Sequence, residues 1–157
     1  MCNFLQLVPA TAIATLIAVV VTVIVNLNIN RQNRRQLLNQ RLYDILKIGL
    51  QYPKFESKSF TDKWTSGYDE NDEEAQRYEL YATIVFNYLE DFSKFFNYDV
   101  KKIEKELAVK EWVRIHGKYW YDPTVANENI DTYEDKFVEI LNRYLARGNA
   151  KWLIEAF

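Results

Sequence analysis

The stretch NFLQLVPATAIATLIAVVVTVIVNLNINRQNRRQLLNQRL, Asn3 to Leu42, decides how this chain is organised. From Met1 to Asn30 there is no Asp, Glu, Lys or Arg, and every charged residue lies beyond. Phe4 to Val25 gives 22 mostly apolar residues. As a helix rising about 1.5 Å per residue they span about 33 Å, enough for a hydrocarbon core of about 30 Å. Asn26, Asn28 and Asn30 follow, polar groups suited to the membrane interface. The segment reads as a transmembrane helix rather than a cleaved signal peptide. No basic side chain precedes the apolar run, and the small triplet Ala10-Thr11-Ala12 falls too early to mark a cleavage site. Pro9 sits in the first turns, where its missing N–H costs little.

The flanks give an orientation. Arg31, Arg34, Arg35 and Arg41 follow the span with no acid before Asp44. Basic residues stay cytoplasmic, so the N-terminus is expected outside and the remaining chain in the cytosol, as a single-pass protein of the cell membrane. The same four arginines are the candidate lipid-binding residues, since a juxtamembrane base gains about 1 kcal/mol near an anionic surface. Marking topology alone would need fewer of them. Within the span, Thr11, Thr15, Ala18 and Thr22 fall at i, i+4, i+7 and i+11. Small and hydroxylated side chains on one face let helices approach closely, so this stripe points to association of spans in a homo-oligomer.

Three segments are expected: a transmembrane segment at 1–30, a basic juxtamembrane amphipathic helix at 31–51, and a cytosolic helical domain at 52–157. The fold class is all-α, with the membrane helix continuing into a compact bundle around an aromatic-rich core. Leu38, Leu42, Ile45 and Gly49 continue one stripe, so the first helix should run to about Gln51, where Tyr52-Pro53 stops it. The loop KFESKSFTDKWTSGYDEND carries Phe55, Phe60, Trp64 and Tyr68 and is expected to pack onto the domain. A second helix is expected from about Asp72 to Asn97, with Tyr78, Tyr81, Val85, Leu89, Phe92 and Phe96 as its apolar face. A third should start after Asp99 as N-cap, carry Val100, Ile103, Leu107, Trp112, Ile115 and Tyr119, and break or end near Gly117 to Pro123. The fourth should begin with an Asp131–Glu134 capping box, bury Tyr133, Phe137, Ile140, Leu141, Tyr144 and Leu145, and end at Gly148. The tail could then dock through Leu153 and Phe157.

No catalytic, cofactor or metal constellation emerges, and the expectation is a non-enzymatic protein. The only His, His116, is read as a surface or capping residue. With one His and one Cys, Cys2, there is no zinc set and no internal disulfide. The four glycines are scattered and build no phosphate cradle. Asp69 to Glu74, DENDEE, lacks the glycine of a calcium loop and is better read as a helix start. The slightly acidic domain, whose bases alternate with Glu104, Glu106 and Glu111, argues against direct binding of nucleic acid.

The layout of one span, then RQNRRQLLNQRLYDIL, YELYATIVFNYLEDFSKFF and EWVRIHGKYW, resembles small prokaryotic membrane-anchored helical proteins of unknown function. Some of these are toxic membrane effectors of anti-phage defence, including Argonaute-associated systems. The resemblance covers most of the chain but is one of texture, without a diagnostic motif. It implies a protein that binds a cytosolic partner such as an Argonaute-containing complex, contacts anionic phospholipid through Arg31, Arg34, Arg35 and Arg41, and depolarises the membrane in abortive infection. The alternatives are a passive membrane anchor or scaffold and a regulatory subunit of a transporter or receptor.

Overall fold

The computed structural model describes residues 10–64, 72–121 and 132–155, and their side chains except those of Ala10, Tyr121 and residues 147–155. Among these residues the secondary structure is wholly helical. Helix α1 is Ala10–Gln51, and a 3-10 turn at Pro53–Glu56 leads to the short α2, Lys58–Thr61. Then come α3 (Glu73–Phe95), α4 (Val100–Glu106), α5 (Val109–Tyr121) and α6 (Asp135–Glu155). The chain forms two compact units, Met1–Leu37 and Leu38–Phe157, which divide inside α1 and within the stretch read as juxtamembrane.

In the second unit the helix starts follow from side-chain chemistry. Asp72 accepts from the backbone N–H groups of Glu74 and Ala75, both at 3.0 Å, and Glu73 and Glu74 fill the first turn where the helix dipole favours acids. Asp99 caps α4 through the Lys102 N–H. Helix α3 ends on two left-handed residues, Asn97 and Tyr98, at φ 57° and 60°. Asn tolerates this conformation, whereas a bulky Tyr rarely adopts it. Tyr98 is held there by its N–H on the Ser93 carbonyl, 2.8 Å, and by its hydroxyl on Glu134.

The core is aromatic. Tyr78 on α3 is fully buried and meets the rings of Phe55, Phe60, Trp64, His116 and Tyr119 at centroid distances of 5.3 to 6.5 Å. Tyr81, Val85, Leu89 and Phe92 are buried on α3 as expected, with Phe96 partly covered, and Phe86 and Tyr88 join them. The stretch after Pro53 is therefore structured, and Phe55 and Trp64 are core residues. Tyr68 lies outside the described residues.

Three expectations need correction. The third helix is two helices, divided at Leu107, whose φ and ψ of −144° and 140° are extended. On one helix Ile103 and Val109 would lie about 120° apart. The break lets both be buried. Helix α5 then runs through Gly117 to end at Tyr121, within the expected stretch, and turns Val109, Val113, His116, Tyr119 and Trp120 inward, leaving Trp112 only partly buried. Gly117 is a close-approach site: a Cβ there would lie 2.6 Å from the Leu145 Cδ2 of α6. Last, α6 begins at Asp135, so Glu134 stands before the helix, and its carboxylate serves Tyr98 and Lys94 rather than a capping box. Asp131 lies outside the described residues. Helix α6 passes through Gly148. The expected inner face of α6 holds for Phe137, Ile140, Leu141, Tyr144 and Leu145, which are buried, while Tyr133 stands before the helix and is partly buried. The side chains of Leu153 and Phe157 lie outside the described residues.

Trp120 tests this corrected face. Its ring packs on Phe86 at 5.0 Å and on Phe137 at 6.0 Å, and its Nε1–H donates to Asn142 Oδ1 at 3.2 Å. Trp120→Ala should cost about 3–5 kcal/mol in denaturant unfolding. Trp112→Ala should cost clearly less, and equal losses would contradict the assigned face.

Candidate functional site

Among the described residues one helix is long and apolar enough to cross a membrane. It is α1, which contains an 18-residue window of mean hydropathy 2.4 with none of it buried. This is what a lipid-facing segment requires, since soluble proteins rarely leave so large an apolar surface uncovered. Within it Thr15 Oγ1 donates to the Thr11 carbonyl and Thr22 Oγ1 to the Ala18 carbonyl, both at 2.8 Å. Such back-bonding satisfies the hydroxyls inside their own helix. Thr11, Thr15, Ala18 and Thr22 are an exposed stripe of small side chains in which the Thr15 and Thr22 hydroxyls are already bonded.

The four arginines stand differently. Arg31, Arg34 and Arg35 are exposed residues of the first unit. Arg41 belongs to the second, and its guanidinium pairs with the Asp91 carboxylate of α3 while remaining half-exposed.

From Leu38 onward α1 is part of the domain. Leu38 and Ile45 are buried, and Leu42, Ile48 and Tyr52 pack on the core. Gly49 permits close passage: a Cβ there would meet the Tyr81 hydroxyl at 3.3 Å and Glu56 Cγ at 3.6 Å. Arg77 closes the end of the helix, donating to the Tyr52 hydroxyl at 3.0 Å and lying 5.6 Å from the centre of its ring.

Beneath Gly49 lies a polar cluster that sequence reasoning missed. His116 is 0% exposed, and its Nδ1 shares a 3.1 Å hydrogen bond with the Tyr78 hydroxyl. Its Nε2 lies 3.7 Å from Glu56 Oε1, beyond hydrogen-bond reach, and has no hydrogen-bond partner among the described residues. Tyr81 donates its hydroxyl to the same carboxylate oxygen. Burial pushes the Glu56 carboxyl up, but His116 and the Tyr81 hydroxyl outweigh it and hold the group below its ordinary range. Burial first, and then the Glu56 charge, push the Tyr78 and Tyr81 hydroxyls far up, so both keep their protons. Tyr88, elsewhere in the core, is pushed up to about 12 by burial. The cluster ties α5, α3 and the 3-10 turn to the last turns of α1. Its imidazole is sealed from solvent, so it has no access to a substrate.

Elsewhere a cavity of about 150 Å³ is lined by Tyr52, Lys54, Phe55, Glu73, Glu74 and Arg77. Its charges are already paired, Lys54 with Glu74 and Arg77 with Glu73. Among the described residues no group of three or more His, Cys, Asp and Glu is placed to hold a metal ion. Compared with known proteins, the chain matches no family model, no curated protein and no solved structure. The resemblance to anti-phage membrane effectors therefore draws no support from these comparisons.

The Glu56 cluster has a pH signature. A carboxyl whose folded pKa is depressed stabilises the fold above its unfolded value, and that stability is lost as pH falls through the folded value. The melting temperature should therefore fall as pH drops below the ordinary carboxyl value of 4.5. Glu56→Gln should lower the melting temperature at neutral pH and flatten this acid limb. An acid limb parallel to that of the wild type would show that Glu56 does not carry it.

Proposed function

We propose that this protein is a membrane-anchored, non-enzymatic docking protein. Helix α1 anchors it in the bilayer, and the helical domain receives a cytosolic protein partner. The observation that carries this reading is α1 itself, where an uncovered apolar window and two buried core residues, Leu38 and Ile45, share one helix. The arginines beyond the apolar run support an N-terminus outside and a domain in the cytosol. Arg31, Arg34 and Arg35, with Arg41 where it turns from Asp91, would contact anionic headgroups.

Continuity of α1 favours one active reading beside the passive one. A partner that repositions the domain also acts on the helix that carries the span, so assembly could depolarise the membrane, as in the toxic effectors of phage defence. The in-helix bonds of Thr15 and Thr22 weigh for the anchor, because they leave little polar surface to line a leak. A membrane-potential dye in cells carrying chain and partner separates the two: potential is kept if the chain is an anchor and lost on triggering if it is an effector.

The anchor itself is tested by fractionation and protease. The full chain should stay in membranes washed with alkaline carbonate, and deletion of residues 1–30 should release a folded domain that still binds its partner. Protease added outside sealed cells should leave residues 52–157 whole. Release of the full chain by carbonate, or digestion of the domain from outside, would overturn the anchor or its orientation respectively.

The lipid contact is separable. Arg31→Glu, Arg34→Glu and Arg35→Glu together should weaken binding to anionic vesicles, as should added salt on the wild type. Equal binding of the wild type to neutral and anionic vesicles would reduce these arginines to topology markers.

A further inference from the structure

In the part of α1 that belongs to the domain, Leu38 and Ile45 turn inward while Tyr43, Leu46 and Leu50 stand 67%, 46% and 82% exposed. With Asn39, also exposed, these three follow one another at steps of four, three and four residues. They lie about 120° round the helix from the docked face. Carried back through the sequence, the same alternation of steps lands on Gln36, Gln32, Ile29 and Val25. It then lands on Thr22, Ala18, Thr15 and Thr11, the small stripe of the apolar segment. No position on this line is charged, and Arg31, Arg34, Arg35, Arg41, Asp44 and Lys47 all fall off it. A mean step of 3.5 residues is the repeat by which helices wrap around each other. Docking onto the domain gives α1 no reason to hold that repeat on its outer side.

We propose that this line is a seam for a second copy of this chain, with α1 pairing against α1 in parallel and in register. The proposal rests on the membrane-anchor reading, which holds all copies the same way round. A second copy fits better than a foreign surface because the line is complementary to itself. Under a two-fold axis each seam residue meets its own counterpart. The charges stay off the seam, so two like-charged helices can close without confronting their arginines. Asn39 meets Asn39, a polar pair of the kind that fixes register at some cost in stability. Tyr43, Leu46 and Leu50 supply the apolar knobs on one side of it, and the small residues let the helices approach closely in lipid.

The test uses the full chain in neutral lipid vesicles, with Cys2→Ser as background. Single Asn39→Cys or Leu46→Cys should give disulfide-linked dimers on mild oxidation, several-fold more than Asp44→Cys, which lies off the seam. Leu46→Glu with Leu50→Glu should abolish the dimer in the Asn39→Cys background while circular dichroism and melting temperature stay unchanged, since both residues are exposed in the single chain. Equal cross-linking at all three positions, none at any, or a dimer that survives the paired Glu substitutions would overturn the pairing. A monomer whose exposed stripe is covered by lipid or by another protein belongs to the second outcome. Carbonate-washed pellets of the same samples keep the two readings apart. Chain that pellets without cross-linking defeats the pairing alone, and chain that washes off defeats the anchor together with the pairing built on it.

Discussion

The last turns of α1 lie against α3, held by a few specific side-chain contacts. Arg41 reaches Asp91, Gly49 makes room for the Tyr81 hydroxyl, and Tyr52 receives Arg77, so the two helices are matched antiparallel at three points along their length. Between those points Ile45 is buried. The exposed ion pair contributes little by itself, since such pairs are typically worth less than about 1 kcal/mol. Its use is in register, while apolar burial at Leu38 and Ile45 supplies the adhesion.

The polar cluster below this contact does a related task. An aromatic core built largely from Tyr and Trp must find partners for polar tips as well as room for rings. Tyr78 pairs with His116, Tyr81 with Glu56, and Thr83 with Tyr119 at 2.7 Å. Hydrogen bonds are directional, so this core accepts fewer alternative packings than an aliphatic one of equal size.

How much of this was legible in the sequence varies with how local the cause is. The stop of α1 at Tyr52-Pro53, the start of α3 near Asp72, the cap at Asp99 and most of the inner faces of α3 and α6 follow from neighbours within a turn or two and could be read, whereas the burial of Phe86 and Tyr88 on α3 was not. The break at Leu107 could not, because neither Pro nor Gly marks it and its cause is the shared burial of Ile103 and Val109. Reading across that break placed Trp112 and Ile115, which are only partly buried, on the inner face beside the buried Tyr119, and hid the burial of His116. A buried histidine shows itself only through its partners, and Tyr78 and Glu56 arrive from distant elements. Gly148 looks like a helix end in sequence, yet α6 runs through it, whereas α5 passes Gly117 and ends at Tyr121, inside the expected stretch. At Gly117 the absent side chain serves the packing of α5 on α6.

Helix α1 is therefore of two kinds: its first part is suited to lipid, and its last turns belong to a protein core. Amide hydrogen exchange of the full chain in lipid nanodiscs tests this dual placement most directly. Slow exchange is expected from Thr11 to Val25, where lipid excludes water, and again from Leu38 to Gln51, where the second stretch should exchange with the same opening free energy as α3. Fast exchange across Thr11 to Val25 in the presence of lipid, or a C-terminal stretch of α1 that opens independently of α3, would contradict the account.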